Sequence, residues 1–86
     1  MRATFVNVPI GGLITDEELA LDLGAIGRPG PLHDWSVLSN DREEDGAATT
    51  RTIRLVHPAT QHTLARVFAR EPLRRGDTDL LWRRIG

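Results

Sequence analysis

The chain reads as an α+β domain with elements in the order β-α-β-β-α-β: a four-stranded antiparallel sheet with two helices on one face. Three observations predict this. A well-capped helix follows an alternating N-terminal stretch, two alternating segments flank an acidic turn ending in glycine, and an apolar i, i+4 stripe lies between two prolines near the C-terminus.

Thr4, Val6, Val8 and Ile10 alternate with Phe5 and Asn7, which predicts a first strand ending about Pro9, where no ladder hydrogen bond is needed. Gly11 and Gly12 turn the chain. Thr15 is the N-cap of the next element, Glu18 completes a capping box, and Ile14 and Leu19 sit where a hydrophobic staple places them. Asp16, Glu17 and Glu18 complement the helix dipole, Leu19 and Leu23 form the apolar stripe with Ala20, and Gly24 or Gly27 ends the helix, predicted over 15–24. Residues 26–31 are a Gly- and Pro-rich loop.

Residues 34–40 predict a second strand, with Trp35, Val37 and Ser39 on one side. Asp41 to Gly46 is a charged turn or exposed hairpin loop. Residues 49–57 are β-branched and alternate, a third strand. Residues 58–71 admit two readings. As a helix, Pro58 takes the first position, Leu64, Val67 and Phe68 share a stripe, and Pro72 is the stop. As a hairpin arm, Ala59, Thr60 and Gln61 form a turn without the glycine such turns prefer. The helix is preferred. Residues 79–85 close the chain as a short fourth strand, with a terminal helix as the lesser alternative.

Eighty-six residues make one domain, 1–86, with a modest core. Absence of cysteine rules out disulfides and cysteine-based metal sites. No apolar run reaches membrane-spanning length and the N-terminus lacks the apolar core of a signal peptide, so an intracellular protein with no membrane association is expected. Charge is unevenly spread: residues 1–50 carry three arginines against nine acids, residues 51–86 eight arginines against three. All the basic residues are arginine, as a GC-rich genome would produce, and arginine's planar fork suits phosphate and carboxylate.

Several of these segments resemble an RNA-recognition motif. Thr4-Phe5-Val6-Asn7-Val8-Pro9 is similar to the family's first-strand hexamer, with an aromatic at its second position. Thr15-Asp16-Glu17-Glu18-Leu19 to Gly27 resembles its first helix, Asp41 to Gly46 its acidic turn, and Arg51 the basic residue opening its third-strand octamer. The resemblance implies a ferredoxin-like sandwich that binds single-stranded RNA on its sheet, with aromatics stacking bases. Ile53 and Leu55 stand where that octamer has aromatics, and Arg54 where it has a small residue. In the octamer's register Arg54 would enter the core. A one-residue slip turns Ile53 and Leu55 inward and leaves Thr52, Arg54 and Val56 on the open face, and this register is preferred.

The resemblance therefore assigns nucleic-acid binding to Phe5 as a stacking platform, Asn7 as a reader of a base edge, and Arg51 and Arg54 as phosphate contacts. Arg74-Arg75 and Arg83-Arg84 add positive potential, while Arg66 and Arg70 fall on the polar side of the expected second helix. Trp35 and Trp82 are core anchors or, if exposed, the aromatics a protein-binding surface needs. His33, His57 and His62 show no metal-ligand spacing, so no metal or other cofactor is expected. Thr15 and Ser36 lack a base and an oxyanion arrangement, and no arginine lies between Ala3 and Ala25 to furnish an acylphosphatase-type loop, so no enzyme is expected. The leading expectation is RNA binding. The alternatives are a protein–protein module of the same fold, or a small phage or mobile-element inhibitor whose Asp41, Glu43, Glu44 and Asp45 imitate phosphates.

Overall fold

The computed structural model describes residues 4–26, 35–46, 48–72 and 80–86. A 3₁₀ turn, Thr4–Asn7, precedes β1 (Leu13–Thr15), α1 (Asp16–Ile26), β2 (Ser36–Asp45), β3 (Ala48–Val56), β4 (Thr63–Arg70) and β5 (Leu81–Arg84). The strands form one antiparallel sheet in the order β1-β5-β4-β3-β2. The chain thus starts at one edge, crosses through α1 to the other, and meanders back until β5 meets β1. Among the described residues, five strands and one α-helix replace the expected four and two, so the ferredoxin-like βαββαβ assignment is corrected.

The first correction falls on residues 4–10. Phe5 and Val8 are the buried pair, three apart, as a 3₁₀ turn requires, whereas the strand alternation put Phe5 on the side opposite Val6 and Val8. The Phe5 amide donates to Asp22 Oδ2 at 2.9 Å and so ties this turn to α1. The first strand lies beyond the glycines instead. Gly11 takes φ +87°, and a Cβ on Gly12 would stand 2.9 Å from Val8 Cγ1 and 3.0 Å from the Pro9 carbonyl oxygen. The Gly11 amide donates to Arg84 O and the Arg84 amide to Gly12 O, which leads the chain into β1.

The helix cap is as read: Thr15 Oγ1 accepts the Glu18 amide at 3.0 Å and α1 begins at Asp16. Asp41 to Asp45, read as turn, continue β2 to the end of the hairpin, where Gly46 takes φ +61°. Their acids have little strand preference; pairing with the threonine-rich start of β3 holds them extended.

The largest correction is at 58–71, where the hairpin-arm alternative holds from Thr63 onward and the helix does not form. Leu64 and Phe68 are four apart, a spacing that shares one side of a helix and equally one face of a strand. Gln61 supplies the turn that glycine was expected to make, with φ +64° and its side chain donating to Pro58 O at 2.9 Å. His57 and His62 close the hairpin through a 2.8 Å backbone bond.

The core is Phe5, Val8, Ile14, Leu19, Ile53, Leu55, Phe68 and Trp82. It lies on one face of the sheet, beneath the 3₁₀ turn and α1. Phe5 meets Phe68 edge to face at 6.4 Å.

Candidate functional site

Strand register divides the sheet residues into two faces. Ile53 and Leu55 are buried and Arg54 is exposed, which is the slipped register. Cross-strand partners share a face, so Arg54 and Ala65, Thr52 and Val67, and Thr50 and Ala69 lie opposite the core. Leu81 and Leu13, neighbours in sequence of buried Trp82 and Ile14, join them there. Thr50, Thr52, Ala65, Val67 and Ala69 form an uncharged block on the open face, while Arg54 stands between Thr52 and Val56 and Arg83 stands between Ala69 and Leu13, which is 46% exposed at the edge. Gly86, just beyond β5, lies against Val67: a Cβ there would stand 3.3 Å from Val67 Cβ and Cγ2.

Charge borders the apolar area. Arg54 is paired with Asp41 at 3.5 Å. Arg83 is paired with Glu71 and donates to Gly11 O, and the Glu71 hydrogen bond holds its pKa above the ordinary value. From Asp41, every second residue of β2 turns the same way, so Asp41, Glu43 and Asp45 form an acidic row on the open-face side. β2 and β3 continue past the last β4 partner, Ala69, so the end of this row projects beyond the rest of the sheet.

The core-side face is rich in arginine. Arg66 donates to Val6 O at 3.2 Å and Arg84 to Val8 O at 2.8 Å, strapping the N-terminal segment onto the sheet. Burial, and then the neighbouring Arg84 charge, lower the Arg66 pKa. Arg51 and Arg70 lie over the Trp82 ring at 5.8 and 5.6 Å, while Trp82 Nε1 donates to Asp16 Oδ1 at 2.8 Å. Arg66 and Arg70 thus share a face with Phe68 rather than the solvated side of a helix, because the period is two.

The residues assigned to RNA do not assemble. Phe5 is wholly buried against Phe68, so no base can reach its ring; that assignment is corrected, the cause being its place in a 3₁₀ turn rather than on a strand. Asn7 is exposed on that same turn. Arg51 points to the core side and donates its Nε to Asn40 at 2.9 Å, whereas Arg54 lies on the open side. Trp82 is buried and is no surface anchor; half-buried Trp35 stands edge to face with His57 at 5.4 Å. His33, Arg74 and Arg75 lie outside the described residues. Among the described residues, no group of three or more His, Asp or Glu is placed to hold a metal ion, and no helix is long and apolar enough to cross a membrane.

Alternation in residues 63–70, had it been preferred, would have revealed the open face: Ala65, Val67 and Ala69 are the small apolar set on one side of Leu64 and Phe68. Searches of protein-family models, curated proteins and solved structures give no match to this chain.

Proposed function

We propose that this chain is a protein-interaction module whose contact surface is the open sheet face, and that its partner sets positive charge against the β2–β3 hairpin. The observation carrying this reading is the uncharged block Thr50, Thr52, Ala65, Val67 and Ala69 on that face, with Arg54 and Arg83 beside it each paired to a carboxylate and the acidic row Asp41, Glu43 and Asp45 along its β2 side. An apolar centre with a charged rim is the anatomy of a protein interface. The rim steers and selects the partner more than it adds affinity.

RNA is the weaker reading. The described open face presents no aromatic ring for stacking, and its acids repel a polyanion. A basic nucleic-acid-binding protein is one form the partner can take, since the three acids recur at about 6.8 Å, two strand residues apart.

Affinity capture from the source cells, followed by titration of the captured protein, tests the proposal. Leu13→Asp and Ala65→Arg should each weaken binding at least about tenfold, a loss of about 1.4 kcal/mol. Asp41→Lys with Glu43→Lys should chiefly slow association and reduce its salt dependence. Binding left unchanged by all of these, with folding intact, would refute it.

A further inference from the structure

We propose that Arg42, Arg51 and Arg70, beside Trp82, form a site for a compact phosphate dianion, either inorganic phosphate or a phosphomonoester. The site lies on the core-side face and is independent of the open-face reading.

Register places Arg42 directly opposite Arg51, a like-charged cross-strand pair of the kind that destabilises a sheet. Arg51 is opposite Phe68, and Arg70 is opposite Trp82, which puts all three guanidinium groups on the face that carries the core. They occupy successive strands, Arg70 standing two residues along β4 from the Phe68 that faces Arg51, so their backbones span about 12 Å. Arg51 and Arg70 crowd one indole at 5.8 and 5.6 Å.

Among the described residues, little offsets this charge. Glu44 takes Arg42 at 3.2 Å. Arg51 gives its Nε to the neutral Asn40, and Arg70 Nε is buried without a hydrogen-bond acceptor. Asp16, the carboxylate at Trp82, is bonded to the indole N–H. Among the described residues, neither the Arg51 nor the Arg70 guanidinium has a carboxylate partner.

A phosphate dianion relieves this repulsion. Its tetrahedral oxygens can accept from planar forks that reach in from different strands, and charge-assisted bonds of this type are the strong ones. The indole behind the guanidinium groups holds their planes and excludes water from one side. Compactness follows from the surroundings: Glu44 stands beside Arg42 on the same face, and an extended polyanion leaving the site on that side would have to run past it.

The test uses the Trp35→Phe variant, which leaves Trp82 the sole tryptophan, and follows its fluorescence at low ionic strength. Inorganic phosphate, glycerol phosphate and a single-stranded oligonucleotide are titrated separately. Both small phosphates should give a saturable change. Arg51→Gln and Arg70→Gln should each weaken it about tenfold, as loss of a charge-assisted contact does. Arg54→Gln, on the opposite face, should leave it unchanged. If Arg70→Gln fails to fold, the exposed Arg42→Gln and the charge-preserving Arg70→Lys decide: weaker binding in both supports the site. The proposal is overturned by no saturable response to either small phosphate, by a response that Arg42→Gln and Arg70→Lys leave intact, or by an oligonucleotide that binds tighter than glycerol phosphate.

Discussion

Phe5→Ala separates a core residue from a base-stacking one. Phe5 and Phe68 are each 0% exposed and pack edge to face at 6.4 Å. Truncating a fully buried phenylalanine to alanine removes the transfer free energy of the ring and leaves a cavity, together about 3–5 kcal/mol. An 86-residue domain has a total stability of about 4–13 kcal/mol, so the variant should be severely destabilised or unfolded. Phe5→Leu keeps most of the volume and loses the aromatic pair, worth about 0.5–1.5 kcal/mol beyond area burial. Urea unfolding followed by far-UV circular dichroism reads both, and a double-mutant cycle with Phe68→Leu should return a coupling of about 0.5–1.5 kcal/mol. A Phe5→Ala shift within about 0.5 kcal/mol, the range of ordinary surface changes, would refute the placement of this ring in the core.

Three further substitutions probe the local geometry. Thr15→Ala removes the acceptor of the Glu18 amide and should cost about 1 kcal/mol in the same melt, with the Glu18 amide resonance moving most. Gly24→Ala, within α1 and with open space around the added methyl, should stabilise by about 0.8–1.0 kcal/mol. Gly12→Ala drives a methyl to 2.9 Å from Val8 and 3.0 Å from the Pro9 carbonyl, and overpacking of this kind should cost about 1–3 kcal/mol. A neutral Gly12→Ala melt would mean that the N-terminal segment packs elsewhere.

The sequence made the helix and the central hairpin legible because their signals are local. Thr15, Glu18 and the acidic first turn specify α1, and Ile53 and Leu55 must face inward if Arg54 is to reach water. Residues 63–70 were ambiguous for a physical reason: Leu64 and Phe68 satisfy both periods, Pro58 and Pro72 can bound either element, and Gln61 adopts a left-handed conformation that its residue type does not announce. The first edge strand spans only Leu13–Thr15, too short to show any period, while Thr4 to Ile10 alternates without forming a strand. Both surfaces followed from that one element. Once 63–70 is extended, Val67 falls on the open face and Arg70 beside Trp82, an assignment no reading of those residues as a helix could make.

The measurement that most directly tests the open face as the contact surface is methyl cross-saturation on isotope-labelled protein bound to its captured partner. Methyl groups report the face of the sheet on which they lie. Saturation should enter at Leu13, Ala65 and Val67, and spare the exposed Leu21 of α1 and the buried Ile53 and Leu55. Saturation centred on Leu21, with Leu13, Ala65 and Val67 unaffected, would place the partner on the helix side and contradict the account.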